Sequence, residues 1–298
     1  KEKNKSKELD NFYNPEREAQ VIRRIQELNK GPLSNESVLK LFREVMSACL
    51  SLEAPLKVSY LGPEGTYTQL AAKNHFGSSI LSVPHLSVEE VFSSVEKRDS
   101  HYGVVPVENS TQGIVASTLD MFMKSSLKIS GEIEILINHN VLSNSKSLDS
   151  IEKIYAHPQS FSQCKNWLEK NLPKCEKINS LSNAEAALIA SKEKNSGAIA
   201  SSVAADIYKL DILSENIEDN HNNSTRFLVI GERDTDPSGN DKTSIIVSTK
   251  NDSGALYSLL EPLSKHNVSM TRIESRPSKH NNWEYIFYLD LNGHIKDS

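Results

Sequence analysis

Asn222-Asn223-Ser224-Thr225-Arg226-Phe227-Leu228-Val229-Ile230 decides how this chain is read. Its small polar residues favour turns, because their side chains hydrogen-bond nearby backbone. They run straight into apolar residues with the texture of a buried strand. The junction sets a hydroxyl, Thr225, and a guanidinium, Arg226, at a strand end, where small ligands commonly bind in open α/β sheets. Taken alone, the same residues describe an ordinary turn ahead of a core strand, and the neighbouring sequence has to decide.

Upstream, from residue 57, short strands and helices alternate. Residues 58–61 read as a strand, and Gly62-Pro63-Glu64-Gly65-Thr66 turns into a helix over 69–76. Residues 80–83 are strand-like and 88–97 helical. A strand over 103–107 empties into the polar turn Glu108-Asn109-Ser110-Thr111-Gln112-Gly113. A helix then passes through Leu119-Asp120-Met121-Phe122, and extended runs follow at 128–137 and 140–142. A second cycle has strand 154–156, the turn His157-Pro158-Gln159-Ser160, helices over 161–170 and 184–194, strand 197–200 and helix 201–210. The strand 227–230 closes it. This regularity predicts an α/β fold with a mostly parallel sheet, in two lobes with a cleft between them, the closing strand returning to the first lobe.

Downstream, residues 232–242 form a polar linker with Pro237 and Gly239. Strand 244–248, helix 255–266 and strands 269–274 and 284–291 follow. That is βαββ, two elements short of a ferredoxin-like βαββαβ unit. At the other end, residues 1–7 are a lysine-rich lead-in, either a solvated helix end or disordered. Asn14 and Pro15 then open a helix with Glu16 and Glu18 in its first turn, and Gly31-Pro32 stops it. Its stripe is Val21, Ile22, Ile25 and Leu28. A second helix from Ser34 carries Val38, Leu41, Phe42, Val45, Met46, Cys49 and Leu50 at helical spacing, and Glu53-Ala54-Pro55 ends it. Two such helices cannot bury both stripes alone, so a third helix or a second chain must cover them. The expected domains are 1–55, an incomplete helical unit that dimerises; 56–232, the two-lobed unit; 233–242, the linker; and 243–298, a βαββ unit that also reads as truncated.

With 298 residues and a net charge of −5, the chain can build several cores and lacks the basic face of a nucleic-acid binder. No apolar run is long enough to span a membrane, and no secretory signal opens the chain. Three cysteines without CxxC spacing point to reduced thiols and a cytoplasmic location. The nine histidines are scattered without metal-ligand spacing. The Gly62/Gly65 turn lacks the Lys-Ser/Thr of a P-loop and the third glycine of a dinucleotide loop, and there is no Gly-x-Ser-x-Gly elbow. Chemistry without metal or cofactor remains. Three loops, 62–68, 108–113 and 157–163, are each expected to follow a strand and open a helix, whose unpaired N–H groups hold anions. Each dipole is worth about 0.3–1 kcal/mol. Three converging with Arg226 could bind a dicarboxylate; alternatively each Ser, Thr or Asn only caps its own helix.

Together these loops resemble the prephenate dehydratase family, through Gly62-Pro63-Glu64-Gly65-Thr66-Tyr67-Thr68, Val105-Pro106-Val107-Glu108-Asn109-Ser110, His157-Pro158-Gln159 with Gln163, and Thr225-Arg226-Phe227. Ala156 departs from the serine that often precedes His-Pro-Gln there. The whole arrangement resembles the bifunctional chorismate mutase–prephenate dehydratases, which end in a phenylalanine-sensing ACT domain. The resemblance implies a lobe pair similar to periplasmic amino-acid-binding proteins, with prephenate in the cleft losing its ring hydroxyl and carbon dioxide to give phenylpyruvate. Thr225 would donate a hydrogen bond or proton to the departing hydroxyl. Asn109 and Gln163 would orient the substrate, with Thr66, Ser110, Thr111 and Phe227 around it. Arg226 would either fix the loop or bind a carboxylate; Glu108 is an alternative acid or a support for the Asn109 loop.

By the same likeness, Asn14-Pro15-Glu16-Arg17-Glu18 matches the mutase, Cys49 and Glu53 stand where it has Ser and Gln, and Lys5 is its nearest cationic match. Lys5, Arg17, Glu18, Cys49 and Glu53 would serve chorismate only in an intact protein. Gly254, Ala255, Leu256, Asn267 and Glu274-Ser275-Arg276-Pro277 would bind L-phenylalanine as a feedback inhibitor. A homodimer or homotetramer is expected, with no cofactor, metal, nucleic acid or membrane partner. The competing readings are a non-catalytic solute receptor on the same fold and a regulatory ACT protein with a degenerate catalytic domain.

Overall fold

The computed structural model describes residues 13–249, 252–277 and 285–297. Packing divides them into two compact units, one holding Tyr13 and Glu36–Arg233, the other Asn14–Asn35 and 234–297. Helix α1 (Pro15–Leu28) therefore falls in the second unit and nearly all of α2 (Asn35–Glu53) in the first. Asn14 caps α1 as its residue type suggests, its Oδ1 accepting from Arg17 N at 2.8 Å.

In the first unit, β1 (Lys57–Leu61), α3 (Tyr67–Phe76), β2 (Leu81–His85), α4 (Val88–Glu96), β3 (Tyr102–Asn109), the short β4 (Gly113–Ile114), α5 (Ala116–Phe122) and β5 (Lys128–Leu136) build the first lobe. The chain crosses to β6 (Asn140–Ser143), β7 (Lys153–Ala156), α6 (Pro158–Gln163), α7 (Lys165–Asn171), β8 (Glu176–Asn179), α8 (Asn183–Ala190), β9 (Ser196–Ala200), α9 (Ser202–Tyr208) and β10 (Asp211–Ser214). It then returns as β11 (Ser224–Gly231), which inserts between β3 and β5. The sheets run β2-β1-β3-β11-β5, with β4 paired to β3, and β10-β6-β9-β7-β8. Two lobes, two crossings and the return of the closing strand are as expected.

The expected mostly parallel sheet is not found. Among the described residues of this unit, only β1 with β2 and β3, and β7 with β8 and β9, pair in parallel; the remaining pairs are antiparallel. The cause is the double crossing. A strand that leaves the lobe and one that comes back to lie beside it must run in opposite senses, as β5 and β11 do. Ile137 N donates to Asn223 O at 2.8 Å, carrying this pairing into the crossing. The helix expected over 161–170 is two pieces broken at Cys164. Asp219, from the return crossing, accepts from Asn166 N at 3.0 Å and Trp167 N at 3.2 Å and so starts α7 afresh. Strands β8 and β10 escape a reading by pattern because they are edge strands with no buried side chain, β8 mostly and β10 half exposed.

The first-lobe core joins Val58, Tyr60, Ala72, Phe76 and Val104 to Phe227 and Val229 of β11. The second lobe fills one side of its sheet with Ile154, Cys164, Leu168, Ile199 and Ile217, and the other with Leu142 and the small residues Ala186, Ala187, Ala190 and Ala198. In the second unit, β12 (Lys242–Thr249), α10 (Ala255–Lys265), β13 (Met270–Pro277) and β14 (Tyr285–Asn292) form the βαββ arrangement, with an antiparallel sheet in the order β12-β14-β13. Phe287, Leu289 and Leu291 of β14 pack against Leu259 and Leu263 of α10.

Close packing around β3 holds the strand that carries Asn109. A Cβ on Gly103 would stand 2.8 Å from Val91 Cγ1 and 2.9 Å from Ile230 Cγ1. Gly103→Ala is expected to cost about 1–3 kcal/mol by overpacking, measured by denaturant unfolding.

Candidate active site

Antiparallel pairing of β3 with β11 places Thr225 opposite Asn109 and Arg226 opposite Glu108. Paired residues share a face of the sheet and successive residues alternate between faces, so the two pairs look in opposite directions. Thr225 and Asn109 line a cavity of about 310 Å³ between the lobes, as do Thr66 and Phe227 from the first lobe and Gln163 from the second.

Asn109 is 9% exposed, and its carboxamide has a forced orientation. Its Oδ1 accepts from the backbone N–H of Thr111 and of Gln112, both at 3.1 Å, and from Thr111 Oγ1 at 2.6 Å. Backbone N–H groups can only donate, so Nδ2 must lie on the other side. There it faces Thr225 Oγ1 at 2.8 Å, Asn223 Oδ1 at 3.0 Å and Ser224 O at 3.1 Å. The Thr225 oxygen is thus an acceptor toward Asn109, which keeps its own proton available to donate.

The expectation that Arg226 and Glu108 act in the cleft is corrected by the same alternation. Neither lines the cavity. Arg226 is anchored on the opposite face by Glu132 at 2.7 Å and Glu108 at 3.7 Å. Arg226 therefore takes the loop-fixing alternative, and Glu108 is a partner of that guanidinium. Ser110 also stays outside: it exchanges bonds with Ser224, Ser110 N to Ser224 O and Ser224 N to Ser110 Oγ, both at 2.9 Å. Thr111 sits at the rim, exposed, and accepts from Gln163 Nε2 at 3.3 Å across the cleft.

Two of the three expected helix-opening loops reach the cavity as such. Thr66 caps α3, accepting from Gln69 N and donating to Leu61 O, and His157 caps α6. The loop 108–113 opens no helix. It folds back through β4 onto β3, and α5 starts later, at Ala116. Two further helix starts face the cavity instead, at Leu181-Ser182-Asn183-Ala184 for α8 and at Ser201 for α9. Ser182-Asn183-Ala184-Glu185 is a capping box, the legible signal for the first of these. Ser182 Oγ accepts from Glu185 N at 3.0 Å, and Glu185 Oε2 accepts from Leu181 N at 2.6 Å. Asn183 ties the second-lobe starts together, accepting from His157 N at 3.0 Å and donating to Ser160 Oγ at 2.8 Å.

Among the described residues, the lining contains no Lys, Arg, Asp or Glu. Helix starts bring N–H groups to this lining and amides and hydroxyls bring directed hydrogen-bonding groups, a combination suited to a small anion with an apolar body. Phe227, Val115, Ile137 and Pro106 supply the apolar wall. The lobes are latched by Ser201 Oγ to Gly65 O at 3.0 Å, Tyr208 OH to Glu64 O at 3.1 Å and the Gln163–Thr111 bond. Burial holds the Tyr67 hydroxyl well above the ordinary phenol range, and Tyr67 donates to Asn138 O at 2.5 Å.

Of the residues matched to the mutase, Lys5 lies outside the described residues. Arg17 and Glu18 are in the first turn of α1; Cys49, exposed, and Glu53 are on the last turns of α2. In the βαββ unit, Gly254 caps α10 with a left-handed φ of 85° and open space where a Cβ would be; Ala255 and Leu256 begin the helix, and Asn267 follows it at φ 54°. Glu274 and Arg276 pair with Tyr288 and Ile286, whereas Ser275 pairs with the core residue Phe287. Strand alternation thus splits Glu274-Ser275-Arg276-Pro277 between two faces, so the four do not form one lining.

A family model described as prephenate dehydratase matches residues 58–235, and one described as chorismate mutase type II matches residues 1–54. The bifunctional chorismate mutase/prephenate dehydratase of Pseudomonas aeruginosa is 51% identical over 96% of this chain and 79% of its own length. The protein of the same description from Aquifex aeolicus is 48% identical over 98% of this chain and 82% of its own. Among solved structures, the prephenate dehydratase of Arthrobacter aurescens in complex with L-Phe is similar with a TM-score of 0.75 and 28% identity, covering 81% of this chain and 82% of that one.

Because Arg226 stands outside the cavity, Arg226→Leu is expected to strip Glu132 and Glu108 of their cation and lower unfolding free energy by about 1–3 kcal/mol. Calorimetry of ligand binding to the cleft should show affinity unchanged; a large loss of affinity would return Arg226 to the site.

Proposed function

This chain belongs to the bifunctional chorismate mutase/prephenate dehydratase family, and we propose that its interlobe cavity converts prephenate to phenylpyruvate, water and carbon dioxide through Thr225. The activity is that of a lyase in L-phenylalanine biosynthesis. The observation that carries the role of Thr225 is the fixed sense of the Asn109–Thr225 hydrogen bond beside a cavity lined without charged side chains.

Prephenate carries two carboxylates and a 4-hydroxyl on a cyclohexadiene ring. The bond from the ring to its carboxylate breaks and releases carbon dioxide. The electron pair moves through the ring, which becomes aromatic, and the C–O bond to the hydroxyl breaks. The departing oxygen takes a proton and leaves as water. Aromatisation drives the reaction, so the protein has to hold the ring and assist the leaving oxygen. Thr225 Oγ1–H is the donor for that oxygen. A threonine hydroxyl is a weak acid, but the Asn109 N–H stabilises negative charge building on Oγ1 as the proton shifts, and solvent restores the proton afterwards. Gln163 Nε2 keeps one hydrogen beyond its bond to Thr111, directed to the substrate's oxygens. The starts of α3 and α8 take the carboxylates, each worth about 0.3–1 kcal/mol through the dipole and more through directed hydrogen bonds.

The remaining assignments rest on family membership with local support. Chorismate mutase activity is assigned to the intact protein, with the α1 and α2 residues in its site. Leu41, Val45 and Leu52 of α2 are 58%, 58% and 87% exposed, which supports a second copy covering this stripe in a homodimer or higher oligomer. The open Gly254 turn supports phenylalanine binding at the start of α10, inhibiting through a shift in lobe closure. A cytoplasmic location follows from the same pathway assignment.

Thr225→Ala is expected to lower kcat for phenylpyruvate formation about 10²- to 10³-fold with prephenate binding retained, and Thr225→Ser to keep most of the rate. Turnover assays with binding measured by calorimetry check both, and wild-type turnover in Thr225→Ala removes threonine from the mechanism. Glu274→Gln is expected to raise the phenylalanine concentration for half-inhibition, each variant compared with its own uninhibited rate; an unmoved midpoint counts against Glu274.

A further inference from the structure

His139 lies in the crossing between β5 and β6, is 1% exposed, and reaches the floor of the cavity. Nothing in the reaction as derived above uses it. Its Nε2 is 2.8 Å from Gln163 Oε1, its backbone N–H donates to Glu218 Oε2 at 2.8 Å, and Nδ1 is 3.3 Å from the Tyr67 hydroxyl.

Donors and acceptors around the cleft fix one another in sequence. The N–H groups of Thr111 and Gln112 make Asn109 Oδ1 an acceptor. Thr111 Oγ1, at 2.6 Å from that oxygen and with Asn223 Oδ1 its other near partner at 3.5 Å, spends its proton on an acceptor. It can therefore only receive from Gln163, so Nε2 of Gln163 faces it and Oε1 faces away, toward His139. An amide oxygen opposite a ring nitrogen at 2.8 Å requires a proton on that nitrogen. His139 is thus protonated at Nε2, and its Nδ1 carries the lone pair, 3.3 Å from a Tyr67 hydroxyl whose own proton goes to Asn138 O. Burial pushes the imidazole pKa below its ordinary value, against the opposing pull of Gln163 and Glu218, which keeps the ring neutral.

We propose that His139 is a positioning residue for the dehydration, the first donor of a one-way hydrogen-bond chain that runs His139 to Gln163 to Thr111 to Asn109 to Thr225 and crosses from one lobe to the other. This inference rests on the dehydratase reading. The chain holds Gln163 with its amide nitrogen toward the substrate. It also couples lobe closure to the reacting hydroxyl, because the Gln163–Thr111 link joins the two halves only when the lobes are together. Hydrogen bonds aligned head to tail polarise one another, so a break at the histidine end weakens the donor at the threonine end.

The experiment measures phenylpyruvate formation from prephenate by the full chain carrying His139→Leu, His139→Gln, Thr111→Val, Gln163→Ala or the pair His139→Leu/Gln163→Ala. His139→Leu is expected to lower kcat about tenfold, equivalent to one lost hydrogen bond, with KM within about twofold of wild type. His139→Gln, whose amide N–H can stand in for Nε2–H, should recover most of the rate. Thr111→Val cuts the chain at an exposed residue and should lower kcat as well, a result available even if His139→Leu does not fold. The double variant should be no slower than Gln163→Ala alone, since both act along one chain. The inference is overturned by wild-type kcat in His139→Leu or Thr111→Val, by a folded His139→Gln with no recovery, or by losses that multiply in the double variant. A wild-type chain that forms no phenylpyruvate strikes the dehydratase reading instead, so the two failures are told apart.

Discussion

Two backbone N–H groups, of Thr111 and Gln112, end on a single side-chain oxygen, Asn109 Oδ1, and most of the chemistry depends on that contact. A carboxamide has two ends of opposite character, and a main-chain donor removes the freedom to exchange them. Once the oxygen is committed, the nitrogen must face β11, and Thr225 receives instead of donating on that side. In the proposed reaction the turn that follows β3 is therefore part of the reactive machinery although none of its backbone need touch the substrate. Asn223, buried at the mouth of β11, holds the other side of the same nitrogen, so the strand end and the turn stiffen each other.

In the proposed reaction, recognition in the cleft relies on neutral groups and on the ends of helices. A cationic side chain would bind a dianion strongly before reaction and release the remaining monoanion slowly. Backbone N–H groups at helix starts supply a softer field, fixed in place and needing no reorganisation. The acidic balance of the whole chain is compatible with this, since the lining itself carries none of that charge. Arg226 and its two carboxylates act on the far side of the sheet, where they clamp β11 to β3 and β5 and so hold Thr225 from behind.

Much of this was legible from residue types. Small polar residues running into an apolar strand marked Thr225, and the turn after the 103–107 strand marked Asn109. The direction in which Arg226 faces follows from a period of two, but only once the strand is known to begin at Ser224. Read as a turn, the first residues hide that alternation. The break at Cys164 depends on Asp219, which is distant in sequence, and no local pattern announces it. His139 was invisible for the same reason, as its partners Tyr67, Gln163 and Glu218 come from three separate segments. Edge strands β8 and β10, with no buried side chain, lack the apolar pattern by which strands are read.

The position of β11 in the chain has a consequence for biosynthesis. This strand is the last of its unit to be translated, yet it sits inside the first lobe's sheet, between β3 and β5. A nascent chain must extend beyond Gly231 before that lobe can close, so the earlier half waits on the ribosome with a gap where its interior strand belongs. Fragments ending before residue 224 would leave strand edges bare and able to pair with other chains. The second lobe, folded between the two crossings, becomes in effect a long insertion whose completion gates the first.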